Sequence, residues 1–254
     1  MRMKQYFYLI KEFSIAKFKI KDQRTALGFL WSFLNPLIMT SILYFLFKSR
    51  LGQDNNKDYF LYVLLGTVTW NFFVMATSAG LISIIHNAEM ARNVAFPKEI
   101  LVYSEVGVFI IQHFFELLAV FLFTSLFGIG FSAHILLLPI IIAIEILLIM
   151  GIALVLSFAS VYVRDLDHIW NILTRMGFFV VPVFYDVSSI SPAFRWAVAI
   201  NPMSQIMTFL RKALLYHDTV STVNLILVFI FSLAVLTLGY VSFKHYEYKI
   251  VEKV

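Results

Sequence analysis

Five ionisable side chains interrupt otherwise apolar stretches of this sequence: Glu105, His113, Glu116, Glu145 and Arg175. His113 and Glu116 are three residues apart, which places them on one face of a helix. A histidine beside a carboxylate suits proton transfer, and Glu145 from another segment would extend it into a relay or a hydrophilic lining. Pairing inside a helix bundle explains the same residues, because an unpartnered charge at a bilayer-spanning helix centre costs about 2.5–3.5 kcal/mol. The spacing fits neither a metal site nor a nucleophile triad. The chain has no cysteine, which excludes disulfides, thiolate chemistry and Cys-based metal sites. No Gly is followed by Lys, so the chain has no P-loop with which to cradle a nucleotide. If ATP drives it, another chain binds the ATP.

Four further constellations stand out. Arg24-Thr25-Ala26-Leu27-Gly28 runs into Trp31, Ser32 and Asn35-Pro36. A cation and an interfacial Trp thus mark the start of an apolar segment that Pro36 bends. Residues 86–99 form a short polar stretch with apolar Met90, Val94 and Phe96 among the charges. It is an interhelical loop or a small helix made to dock in a partner's cleft. Arg164-Asp165 sits in a charged turn, either snorkelling at an interface or pinning helix ends. Trp170, Phe178, Phe179, Phe184 and Tyr185 crowd one segment around Pro182. Such aromatics make interface belts and also stack on sugar rings.

The elements that must position these residues are helices in lipid. The 254 residues are 61% hydrophobic and 14% charged, against about a quarter charged in soluble domains. Mean hydropathy is +0.85, so lipid is the solvent for most of the chain. Apolar runs at 27–47, 60–85, 100–127, 135–161, 169–185 and 223–243 predict six spans of a ~30 Å core, the fifth being short. The N-terminal stretch carries Tyr6, Leu9, Ile10, Phe13, Ala16 and Ile20 on one helical side and Lys4, Lys11 and Lys19 on the other. It predicts a helix lying in the headgroup plane, with Lys17 breaking the pattern. Residues 186–218, broken by Pro192 and Pro202, predict two half-length helices, about 192–199 and 203–215, which enter a membrane only where protein or water lines them. Lys and Arg are concentrated at residues 2–24, 92–98, 164 and 244–253. That bias places both termini in the cytoplasm and the half-helix pair outside. Ala76 and Gly80, or Ala153 and Ser157, allow close helix approach, within the chain or at a seam between copies.

In order and spacing, Arg24…Leu27-Gly28…Trp31…Pro36, Phe96-Pro97, Arg164-Asp165, Pro182-Val183-Phe184-Tyr185 and Asn201-Pro202 resemble the ABC-2 type permeases that export O-antigen, teichoic acid and capsular polysaccharide. The resemblance covers nearly the whole chain. It implies an all-α integral membrane fold of six transmembrane helices, with an N-terminal interfacial amphipathic helix and an extracellular re-entrant helix pair. Within one transmembrane domain, 1–254, residues 1–26 would be the interfacial helix and 27–185 spans one to five. Residues 186–218 would be the gate helices, 221–243 the sixth span and 244–254 a cytoplasmic tail. It further implies a multi-pass protein of the cytoplasmic (inner) membrane that moves a lipid-linked polysaccharide through a channel between two copies of itself. The chain would be a transport subunit rather than an enzyme, with no cofactor of its own, ATP and Mg on a separate ABC ATPase subunit, and no nucleic-acid partner. By analogy, Glu89, Met90, Arg92, Asn93, Phe96 and Pro97 belong to the coupling helix that meets the ATPase. Trp31, Ser32, Asn35, Tyr44, Phe178, Phe184 and Tyr185 line the channel. Arg24 and Lys21 receive the lipid pyrophosphate. Export of small lipids or drugs is the nearest competing expectation. A membrane-embedded enzyme of lipid or glycan synthesis using His113, Glu116 and Glu145 is another, and a membrane scaffold a third.

Overall fold

The structure, a computed structural model, describes residues 3–22, 30–48 and 58–253. Arg24 and Gly28 lie outside the described residues. The described residues are built from helices: α1 Met3–Asp22, α2 Leu30–Phe47, α3 Asp58–His86, α4 Ala88–Asn93, α5 Glu99–Leu126, α6 Leu138–Ser160, α7 Leu166–Val180, α8 Pro192–Ile200, α9 Pro202–Arg211 and α10 Thr222–Lys253. A 3₁₀ turn Ala133–Leu137 leads into α6, and a π turn Lys212–Tyr216 follows α9. Five of these segments are long and apolar enough to cross a membrane: α2, α3, α5, α6 with its 3₁₀ lead, and α10.

The centre is α3 packed on α5 and α6, with α10 packed on the other side of α6, made close by small residues. A methyl group on Gly80 would sit 2.5 Å from the Ala153 side chain, and Ser83 and Ser157 hydroxyls bond at 3.2 Å. Gly80 of one predicted pair thus meets Ala153 of the other within the chain. Gly151 and Gly239 do the same for α6 and α10, where an added methyl on Gly239 would meet the Gly151 carbonyl at 2.5 Å. Without a hydrophobic drive between helices in lipid, this backbone proximity supplies the packing attraction.

Residues 169–185, a span by hydropathy, fold otherwise. α7 has 15 residues and reaches about 22 Å, short of a ~30 Å core. It stops because Pro182 has no amide hydrogen to continue the ladder, and Val181 turns extended. The helix is followed by the irregular residues 181–186. Exposed backbone at that depth must find partners. Four consecutive carbonyls do. Arg211 donates through Nη1 to Pro182 at 2.7 Å and through Nη2 to Val183 at 2.8 Å. The Tyr59 and Tyr62 hydroxyls donate to Phe184 and Tyr185, each at 2.7 Å.

The half-helix pair forms as α8 and α9. Each begins with proline, a residue suited to a first helical position where its missing N–H is not needed. Asn201 caps α9 by accepting from Met203 N at 2.9 Å. The polar residues after 243 continue the last helix, so that α10 runs to Lys253. Its added turns pack on the protein, with Tyr246 stacked on Phe158 at 5.1 Å. α1 turns most of its expected apolar face inward, with Tyr6, Leu9, Ile10 and Phe13 half-buried and Lys4, Lys11 and Lys19 exposed, and departs from it toward its end. Ser14 is buried against α5, while Ala16 and Ile20 are exposed. Lys17, the pattern-breaker, faces the protein and pairs with Glu105 at 2.6 Å.

Candidate functional site

Two features stand apart from the packed interior. The first is an open cavity of about 550 Å³ between α2, α3 and α7. α2 contributes Asn35 and Met39, and α3 contributes Trp70, Asn71 and Val74. α7 contributes Asn171, Thr174, Arg175, Phe178 and Phe179. Gly177 lets α7 lie against the Trp70 ring, since a methyl there would fall 2.8 Å from it. Trp170 turns the other way and donates to Thr77 Oγ1 at 3.1 Å. The lining thus combines three amides, a guanidinium and aromatic faces. That mixture offers many weak, interchangeable contacts and no enclosed pocket, as suits conduction rather than tight binding.

Of the seven residues expected in a channel, Asn35 and Phe178 line this cavity. Trp31 is exposed and Ser32 half-buried one helical turn below Asn35. Tyr44 packs toward α3, with ring centroids 6.0 Å from Tyr59 and 5.8 Å from Phe60. Phe184 is buried among Phe47 and Phe178 at 4.8 and 5.9 Å. Tyr185 donates its hydroxyl to Val180 O at 2.6 Å. Of the residues expected at lipid pyrophosphate, Arg24 lies outside the described residues; Lys21 falls in α1, with its side chain outside them. Trp70, Asn71, Asn171 and Thr174 were missed by residue-type reasoning. Asn71 carried a usable signal, an amide in the middle of an apolar span.

The second feature is the segment after α3. α4 is six residues long, anchored by buried Ala91, with Glu89, Met90, Arg92, Asn93 and Val94 exposed. Phe96 and Pro97 are half-buried. Phe96 is an inward anchor rather than a knob: its ring meets Phe13 of α1 at 6.4 Å and lies under Lys98 Nζ at 4.7 Å. The same junction ties to α10, where Glu247 accepts from Lys98 N at 2.9 Å and Lys244 bridges Glu99 and Glu247 at 2.8 and 2.9 Å. Burial, then the Glu99 carboxylate beside it, push the Tyr6 phenol above its ordinary range. The exposed α4 surface is thus mounted on three elements at once.

The intramembrane carboxylates lie apart from the cavity, except where Glu116 touches a small void beside Pro36. His113 is sandwiched on Phe72 at 4.3 Å, with Nδ1 3.7 Å from Glu116 and Nε2 4.0 Å from Glu145. Gln112 donates to Glu116 at 2.8 Å. All three ionisable groups are at most 3% exposed. Arg175 does not approach them; it opens to the cavity.

The profile of the ABC-2 type transporter family matches residues 10–215. The chain belongs to the ABC-2 type transporter family. The permease is similar to the O-antigen export system permease protein RfbA of Klebsiella pneumoniae, 23% identical over 92% of this chain and 90% of that protein. It is also similar to the O-antigen export system permease protein RfbA of Myxococcus xanthus, 28% identical over 80% of this chain and 79% of that protein. Family membership makes the permease a membrane transport subunit, and its five long apolar helices make it multi-pass.

Proposed function

We propose that this permease is the membrane half of an ATP-driven exporter that moves a lipid-linked polysaccharide across the cytoplasmic membrane. The observation that carries this reading is the open, amide- and aromatic-lined cavity between α2, α3 and α7. A glycan is polar, long and variable, so a path of weak contacts serves it better than a deep specific pocket. The names of the related permeases support the same substrate class.

In this reading two copies meet so that their cavities form one channel. Trp31, Ser32, Asn35 and Phe178 face the chain as it passes, while Tyr44, Phe184 and Tyr185 shape the outer end. The basic end, with α1, α4 and the close of α10, faces the cytoplasm by its Lys and Arg excess. An ABC ATPase subunit, which holds ATP and Mg, docks on Glu89, Met90, Arg92 and Asn93, and Phe96 and Pro97 fix their angle. Lys21 and Arg24 meet the pyrophosphate of the lipid carrier. α8 and α9 form the outer gate.

Charge reversal at Arg92 tests the docking half. It should reduce co-purification of the ATPase about tenfold or more, with the permease still inserted, dimeric and thermally unchanged. Unaltered co-purification and export would remove α4 from the interface. Small lipids or drugs as cargo predict an indifference to bulky substitution at Ser32, whereas a glycan channel predicts loss of surface polysaccharide.

A further inference from the structure

Arg175 poses an electrostatic problem that the chain does not solve by itself. It lies nine residues along α7 from Leu166 and six residues, about 9 Å by helix rise, inside the apolar run that begins at 169. Snorkelling serves residues near helix ends, and Arg175 lies within the apolar run, with five residues of α7 still to follow it. Its side chain is exposed to the cavity with Asn35, Asn71 and Asn171 around it, and it forms no ion pair among the described residues.

Among the described spans, a second copy offers no free carboxylate away from the helix ends. Away from the helix ends, the spans contain three carboxylates: Glu105, Glu116 and Glu145. Glu105 is taken by Lys17. Glu116 and Glu145 are 3% and 0% exposed against His113. A homodimer would therefore place two unneutralised guanidinium groups in one water-filled path. Rings of Arg or Lys are how pores favour anions, and a guanidinium fork matches a carboxylate or a phosphate with two parallel hydrogen bonds.

From this we infer that the permease's cargo is an acidic glycan, one whose repeating unit carries a carboxylate or phosphate, and that Arg175 is the residue that selects it. The inference rests on the channel reading above and deepens it. The three asparagines accept and donate to sugar hydroxyls without regard to charge. Arg175 adds the one contact that a neutral chain leaves unused.

The test uses the permease in nanodiscs of neutral phosphatidylcholine, with binding read by the intrinsic fluorescence of its four tryptophans, Trp70 at the cavity among them. The probes are oligogalacturonate, its methyl ester of equal length, oligo(glycerol phosphate), and inorganic pyrophosphate. The native protein should bind an anionic oligomer about tenfold or more tighter than the neutral ester. Whichever of the carboxylate and phosphate oligomers is preferred identifies the anion. Arg175→Gln should bring binding of the anionic oligomer down to that of the ester, and Arg175→Lys should restore part of the preference. If the native protein binds acid and ester alike while Phe178→Ala weakens both, the acidic-cargo inference falls and the channel reading stands. If pyrophosphate alone accounts for the Arg175-dependent binding, the site serves the lipid carrier and the inference also falls. If no oligomer binds, both readings fall.

Discussion

Arg211 and Arg175 are the same side chain in two opposite environments. Arg211 is 3% exposed. Its guanidinium lies 3.3 Å over the Tyr62 ring and donates to the carbonyls of Pro182, Val183 and Tyr62. Arg175 faces an open cavity and finds amides and aromatic edges instead. The first repairs backbone that the short α7 leaves unpaired. The second is left available to something outside the chain. A cation in a membrane protein is thus no signature of function by itself. What separates structural from functional use is whether the protein's own acceptors saturate it.

Removing each arginine should widen that contrast. Each buried acceptor stripped of its donor costs about 1–3 kcal/mol, and Arg211→Leu strips the carbonyls of Pro182 and Val183, while Tyr62 O keeps its place in the α3 ladder. Thermal unfolding in detergent should fall sharply for this variant, or the protein should fail to accumulate. Arg175→Gln should stay within about 0.5 kcal/mol of the native protein. Comparable losses in both would show that Arg175 is also a structural pin.

The next effect is smaller and tests the same seat from the other side. A methyl on Gly66 would lie 2.5 Å from Arg211 Nη2 and 2.6 Å from Val183 O. Because a backbone oxygen cannot swing away, Gly66→Ala should destabilise by about 1–3 kcal/mol. Gly130→Ala, with open space around it, is the matched control and should be silent. Equal melting curves for the two would mean that the Arg211 seat is loose.

The smallest effect concerns a cation that is neither buried nor in the cavity. Lys212 pairs with Asp218 at 3.2 Å on an exposed turn. The backbone N–H of Thr219, then Lys212, hold the Asp218 carboxyl below its ordinary value. A depressed carboxyl contributes above its unfolded-state value and stops contributing as pH falls through its folded value. Asp218→Asn should therefore be nearly neutral at pH 7 and indistinguishable from native in acid, since exposed pairs are screened by water. A marked loss at pH 7 would place this turn among the structural cations with Arg211.

Sequence alone determined the membrane setting, because an apolar run long enough to cross lipid is a local property that no distant contact overrides. It likewise located the exposed helix after α3 and the two proline-started half-helices, since caps and breakers act within a few residues. Tertiary structure decided which way side chains point and what they meet. Phe96 and Phe184 read as exposed aromatics in sequence, yet both turn inward onto rings from elements far along the chain. Arg211 falls in the stretch 186–218 that charge bias places outside, yet it is buried, because the carbonyls that hold it come from residues 62, 182 and 183. In lipid every helix face is apolar enough to be buried, so hydropathy cannot choose among faces. The choice falls to small-residue contacts and to polar groups seeking partners across long sequence separations, which only the folded chain brings together.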